Sequence, residues 1–259
     1  MQGDAREGKG QMQSLLRGLE MLRHLVEADG PVTATEVAKA LELHQSTASR
    51  MLATLATAGY VRKESYRSYA PDYGLLSIAL GARPHFSIME TPRRAMQEAA
   101  DQVPGMTLSI CMLWRQELIY FLRSAEGRQP VLFEGHGYPM HLSAPAMRLI
   151  ADLPDSEALE LLEHSRARFG WARPHPHVPA DPHGVIEVAR SNVTFDCLID
   201  DGYRDVENYV AAAIPLRPYD GHPVALALHG PRDVASDDKL RLLLHEARRE
   251  VETSIDAAH

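Results

Sequence analysis

The stretch from Val32 to Leu55 constrains this chain more than any other, because two helical patterns follow one another across a short break. Thr33 stands as an N-cap, Glu36 three residues later closes a capping box, and Val32 with Val37 is placed as a hydrophobic staple. The helix so announced carries Val37, Ala38 and Leu41, stops, and gives way to a new helical pattern near His44. There Ala48, Met51, Leu52 and Leu55 recur at i, i+3, i+4 and i+7, which makes an inward stripe and leaves Gln45, Ser46, Ser49 and Arg50 outside near the helix start. That is the spacing of a helix-turn-helix. Short polar and bidentate groups at that place suit base edges and phosphates.

The flanking sequence completes the module. From Met12 to Ala28, Leu15, Leu19, Leu22 and Val26, supported by Leu16 and Leu25, predict a first helix with a broad buried face, stopped by Asp29-Gly30-Pro31. Gly59 ends the third helix, and two short β-patterned runs, 60–63 and 66–69, flank a polar turn at Glu64-Ser65. This hairpin carries Arg62, Lys63 and Arg67, so the whole reads as a winged helix-turn-helix with DNA-contact candidates Thr35, Gln45, Ser46, Thr47, Ser49, Arg50, Arg62, Lys63 and Arg67. A helical dimerisation module with a merely solvated polar face is the competing reading of the same pattern.

Net charge bears on that choice. The chain of 259 residues has a formal charge of −8, which opposes nucleic-acid binding if spread evenly. Residues 1–70, however, hold nine Lys/Arg and eight Asp/Glu, so the excess acid lies in the remainder. Two cysteines, Cys111 and Cys197, cannot make a disulfide framework or a cysteine-rich zinc site, and no apolar run reaches the ~20 residues of a membrane span. A cytoplasmic protein is expected.

Domain limits follow from the punctuation. Residues 1–11 read as a disordered arm, 12–71 as the winged domain and 72–85 as a proline-bounded linker helix carrying Leu75, Leu76, Ala79 and Leu80. Residues 86–259 read as a second domain, which begins with a helix over 87–103. A β-hairpin follows, with strands over 107–113 and 117–123. Helices are predicted near 144–152, 155–168, 183–201 and 236–254, and strands at 211–217 and 224–229 joined by Pro218-Tyr-Asp-Gly-His. Strands this few and this hairpin-like predict an antiparallel sheet, and no dinucleotide-binding glycine motif, phosphate loop or nucleophile elbow occurs.

Several runs together resemble the IclR family of bacterial transcriptional regulators, from about Met12 to Ile255. They are the Leu-Arg-Gly-Leu-Glu-Met-Leu run of the first helix, Leu43 to Leu52 with Ala58-Gly-Tyr-Val61, His141-Leu-Ser-Ala, Asp201-Gly-Tyr203, Ala212-Ala-Ile-Pro215 and Gly230-Pro231. The resemblance implies an α+β chain: an N-terminal winged helix-turn-helix, a linker helix, and a C-terminal profilin-like or GAF-like α/β effector-binding domain with an antiparallel sheet. It further implies a homodimer or dimer of dimers on palindromic double-stranded operator DNA, answering to a small-molecule effector, with no cofactor, no metal and no enzymatic activity. Leu15, Leu19, Leu75 and Leu80 are the candidates for the dimer interface.

Strand alternation and the resemblance together select an effector site of Ser109, Cys111, Ser143, Ala144, Asp205, Ala211, Ala227 and His229. This chain departs from the family in having Ser143-Ala-Pro-Ala-Met147 after the histidine, Ala211 where many members carry cysteine, and Ala227-Leu-His229 before Gly230. Three alanines predict a largely apolar grip on an aromatic or hydrophobic metabolite, with His229 as the main polar anchor. Two alternatives stand beside this: a carboxy-terminal domain that only oligomerises, and a metal-dependent enzyme using His175, His177, Asp181 and His183. Against the second, Asp181-Pro182 has the form of an N-cap and first helical residue.

Overall fold

The computed structural model describes residues 12–132, 137–201 and 208–257. The residues expected to form an arm, together with Asp205 and Gly202-Tyr203, lie outside the described residues. Two compact units meet at the boundary between His85 and Phe86.

In the first unit, α1 (Gln13–Glu27) precedes β1 (Val32–Thr33), α2 (Ala34–Ala40) and α3 (Gln45–Thr57), followed by β2 (Val61–Lys63), β3 (Ser68–Pro71) and α4 (Tyr73–Ala82). The predicted capping box is present: the Thr33 hydroxyl accepts from the Glu36 amide, and the Glu36 carboxylate accepts from the Thr33 amide. Val32 and Thr33 do more than begin a helix, because they pair with Tyr69 and Ser68 and so make the wing a three-stranded sheet. Met21, Leu25, Val37, Ala38, Ala48, Leu52 and Val61 form the core.

The first helix corrects an expectation. Leu15 and Leu19 are 59% and 56% exposed, while Met21 and Leu25 on the neighbouring flank are the buried ones. The helix is apolar on two flanks, and within one chain only one of them meets the core. α4 shows the same property more strongly, since Asp72 caps it through the Tyr73 amide yet none of its residues is buried.

The second unit is built on a seven-stranded antiparallel sheet of order β6-β5-β4-β10-β9-β8-β7. Its strands are β4 (Thr107–Trp114), β5 (Glu117–Ala125), β6 (Arg128–Leu132), β7 (Val193–Thr194), β8 (Cys197–Asp201), β9 (Tyr209–Tyr219) and β10 (His222–Pro231). Leu108, Ile110, Met112, Ile214, Leu226 and Leu228 make one bulky face, which packs with α5 (Arg93–Asp101) and α9 (Asp237–Asp256). Cys111, Ala213, Ala225 and Ala227 make the other, smaller face beneath α6 (Ala144–Ala151), α7 (Asp155–Phe169) and α8 (Pro182–Ser191). Small side chains let helices approach the sheet closely, so the alternation seen in sequence became two unlike layers.

Two helices are shorter than predicted. The expected helix over 87–103 is a 3-10 turn at Ser87–Met89 followed by α5, because Pro92 biases Thr91 away from helical geometry. The expected helix over 183–201 ends at Ser191, and β7 and β8 form a hairpin through Phe195 and Asp196, both at positive φ. Cys197 and Leu198 then bury on opposite faces of the sheet, which a periodicity argument over so short an apolar run cannot distinguish from helix. β6 was not anticipated; Gly127 at positive φ turns the chain into it.

Candidate nucleic-acid interface and ligand cavity

The first turn of α3 is exposed at Gln45 and Ser46, while Thr47 and Ser49 are half-buried. The Gln45 side-chain amide donates to the Thr35 hydroxyl at 2.9 Å, which ties the start of α3 to α2. Thr35, Gln45, Ser49, Lys63, Tyr66 and Arg67 border one groove between α3 and the wing. Thr47 and Arg50 lie on the other flank of α3, beside an apolar groove lined by Leu15, Leu19 and Leu22 of α1. Arg62 is held within the wing, donating to the Glu64 carboxylate at 2.7 Å and the Pro71 carbonyl at 2.8 Å. Arg50, Lys63 and Arg67, by contrast, have no carboxylate partner among the described residues; Lys63 rests 5.3 Å from the centroid of the exposed Tyr66 ring. Tyr66 escaped sequence reasoning because a lone aromatic in a turn carries no periodic signal.

In the second unit, a cavity of about 210 Å³ opens between the small-residue face of the sheet and the start of α6. It brings together Ser109, Ser143, Ala144, Ala211, Ala227 and His229 from the sequence-derived set. Cys111 is fully buried in the core opposite Ala225 and does not line it; burial pushes its thiol well above the ordinary range. Ser143 caps α6 by accepting from the Ala146 amide, and its hydroxyl lies 2.9 Å from the Tyr120 hydroxyl. His229 Nδ1 is engaged by the Tyr209 hydroxyl, so the expected main anchor already has a protein partner.

Tyr120, Arg123 and Tyr138 also line the cavity and were missed. The reason is geometric. Residues 120 and 123 are an odd number apart, so strict alternation sends them to opposite faces. The register of β4 with β5 shifts after Ile110: Ile110 pairs with Leu122 but Cys111 pairs with Tyr120, leaving Phe121 as an extra residue. This bulge returns both side chains to the cavity face, and no local sequence signal marks it.

The amino-terminal unit decides the relationship. Residues 14–65 match the IclR helix-turn-helix domain. The winged unit is thus an IclR-type helix-turn-helix domain. Over 244 residues the chain is 24% identical to the transcriptional repressor IclR of Escherichia coli strain K12, spanning 89% of this chain and 84% of that one. The fold is shared with an IclR family transcriptional regulator from Brucella abortus (TM-score 0.77, 22% identity, 100% of this chain and 97% of the other). It is shared also with an IclR homologue from Microbacterium hydrocarbonoxydans complexed with 4-hydroxybenzoate (TM-score 0.69, 20% identity, 94% and 99%).

In the loop before α8, the histidines and Asp181 weighed as metal ligands are not brought together. Among the described residues no group of three or more His, Cys, Asp or Glu is placed to hold an ion, and Asp181 is spent as the cap of α8, accepting from the Gly184 amide at 2.9 Å. No helix among the described residues is long and apolar enough to cross a membrane. His141, of the motif preceding α6, is fully buried, stacked on Trp171 at 4.1 Å, with Nε2 bonded to the Ala172 carbonyl.

His141 Nδ1 has no partner among the described residues, and burial lowers the ring's pKa from 6.5. The folded chain therefore refuses a proton that the unfolded chain accepts. The contribution to stability is full above pH 6.5 and is lost as pH falls below it, at a slope of at most about 1.4 kcal/mol per pH unit. Urea midpoints measured from pH 7.5 to 5.5 should fall more steeply in wild type than in His141→Gln; parallel profiles would remove His141 from the pH response.

Proposed function

We propose that this chain is an IclR-type transcriptional regulator that binds operator DNA through its winged unit and a small-molecule effector through the cavity of its second unit. The relatives support both halves, one being a repressor by name and another a homologue complexed with 4-hydroxybenzoate. The observation that carries the DNA half is that Lys63 and Arg67 beside the exposed polar start of α3, and Arg50 on its other flank, have no carboxylate partner among the described residues. In a chain of net charge −8, where Arg23, Arg62 and Arg94 all have carboxylate partners, these three are available to phosphate. Thr35, Gln45, Ser46, Thr47 and Ser49 supply the groups that meet base edges and backbone, and Arg62 stiffens the wing.

The working unit is a cytoplasmic homodimer or dimer of dimers without enzymatic activity, divided into the winged domain at 12–71, the linker helix at 72–85 and the effector domain from 86. One recognition helix reads too few base pairs for specificity, and two-fold pairing sets two of them about 34 Å apart in successive major grooves. The exposed apolar flank of α1, with Leu15 and Leu19, and the unburied α4, with Leu80, are the surfaces that such pairing would cover.

Footprinting and salt titration on the operator test this reading. Arg50→Ala is expected to weaken operator binding by about 1–3 kcal/mol, and Arg67→Ala to weaken it across sequences while lowering the salt slope by about one. The wild-type complex should contain two protomers per palindrome. Wild-type affinity and salt slope in both variants would refute the winged-helix assignment.

A further inference from the structure

Among the described residues that line the cavity one side chain carries a permanent charge, and it is positive. Arg123 on β5 is half-buried, faces the cavity, and makes no hydrogen bond or ion pair with any described residue. No aspartate or glutamate is among the described residues that line the space. Ser109 stands directly opposite Arg123 on β4, which puts their side chains about 5 Å apart on one face. Ser109 is only 2% exposed, yet its hydroxyl has no protein partner among the described residues. A half-dehydrated guanidinium with five donors unspent, beside a buried hydroxyl with a donor unspent, is an incomplete arrangement. A carboxylate completes it, since hydrogen bonds between ionised groups are about twice as strong as neutral ones.

The remaining walls define the rest of the ligand. Ala144, Ala211 and Ala227 give a flat apolar surface, with the Tyr138 ring beside it. A cavity of about 150 Å³ suffices for benzene, whereas drug-sized ligands occupy about 300–1,000 Å³. At about 210 Å³ this one accommodates a single ring with a small substituent.

We propose that Arg123, with the Ser109 hydroxyl beside it, is the polar anchor of this cavity and determines its specificity, holding the carboxylate of a single-ring acid of the kind bound by the 4-hydroxybenzoate homologue. The ring lies against Ala144, Ala211 and Ala227. This rests on the effector reading above and replaces His229 with Arg123 as the principal polar anchor. The bulge at Phe121 is what makes it possible, because it delivers Arg123 and Tyr120 to the same face.

Isothermal titration of the full chain with benzoate, 4-hydroxybenzoate and cyclohexanecarboxylate, each against its neutral carboxamide, tests the proposal. At least one acid should bind wild type, and its amide about 10- to 100-fold more weakly. Arg123→Gln should lose about as much for the acid, Arg123→Lys should recover part of it, and Ser109→Ala should lose less. Unchanged circular dichroism and thermal midpoints establish that the variants fold. Equal binding of acid and amide, acid binding to Arg123→Gln at wild-type affinity, or no binding of any acid overturns the assignment. The same titrations repeated on operator-bound protein separate the two readings. An acid that binds through Arg123 but leaves operator affinity unchanged defeats the effector function alone, whereas an amide that binds and shifts operator affinity defeats the carboxylate assignment alone.

Discussion

Leucine in place of Ala227 is expected to abolish the ligand response while leaving operator binding at its wild-type strength. Ala227 lies on β10 between Ser109 of β4 and Ala213 of β9, with its methyl group on the cavity floor. Three added carbons project into a space of only about 210 Å³ that already holds little beyond the volume of one ring. The strain of this substitution is small compared with overpacking a filled core, because the new side chain enters a void. The loss falls on the ligand instead. Operator affinity measured with and without whichever of the three acids binds wild type should differ for wild type and coincide for Ala227→Leu. A variant that still responds places the effector elsewhere. The residues proposed to meet the operator all lie in the first unit, and Ala227 lies in the second.

Alanine in place of Gly74 should destabilise the first unit by about 2–3 kcal/mol, although alanine is the better helix former by about 1 kcal/mol. Gly74 lies in the first turn of α4, where its amide donates to the Gly59 carbonyl at 3.0 Å. A Cβ there would stand 2.3 Å from that same oxygen and 2.8 Å from Tyr60 Cδ1. The oxygen is backbone and cannot rotate away, and Gly59 is itself fixed at φ +79° where α3 ends. The first turn of α4 must therefore lift from the α3–β2 corner, losing this bond and the neighbouring one from the Asp72 amide to the Tyr60 carbonyl. Urea denaturation of the full chain followed by far-ultraviolet circular dichroism measures the change; a midpoint at or above that of wild type would show that the close approach does not exist.

Both sites show how far local signals reach. The capping box at Thr33, the stop at Gly59, the Asp181 cap and the Asp220-Gly221 turn were legible because each is a contract between residues at most four apart, written in backbone hydrogen bonds and allowed φ values. Period-two alternation in β4 and β10 likewise foretold a bulky and a small face, and six of the eight proposed cavity residues do meet there. Where the chain offered two equivalent local answers, reading along it failed. The apolar run after Ser191 serves helix or strand equally, and only pairing with β9 makes β8 a strand.

The sequence by itself determined the helix-turn-helix, the basic wing and the small-residue face, because these depend on neighbours in the chain. Tertiary structure alone decided three matters. It chose Met21 and Leu25 over Leu15 and Leu19 as the buried flank of α1, since the choice depends on which surface α2 and α3 cover. It sent Thr35, Gln45, Ser49, Lys63 and Arg67 to one groove and Arg50 to another, since a helix presents successive residues at different angles to its neighbours. It turned Arg123 toward the cavity, since a single extra residue between paired strands reverses the face of everything beyond it, and that residue is defined only by the partner strand.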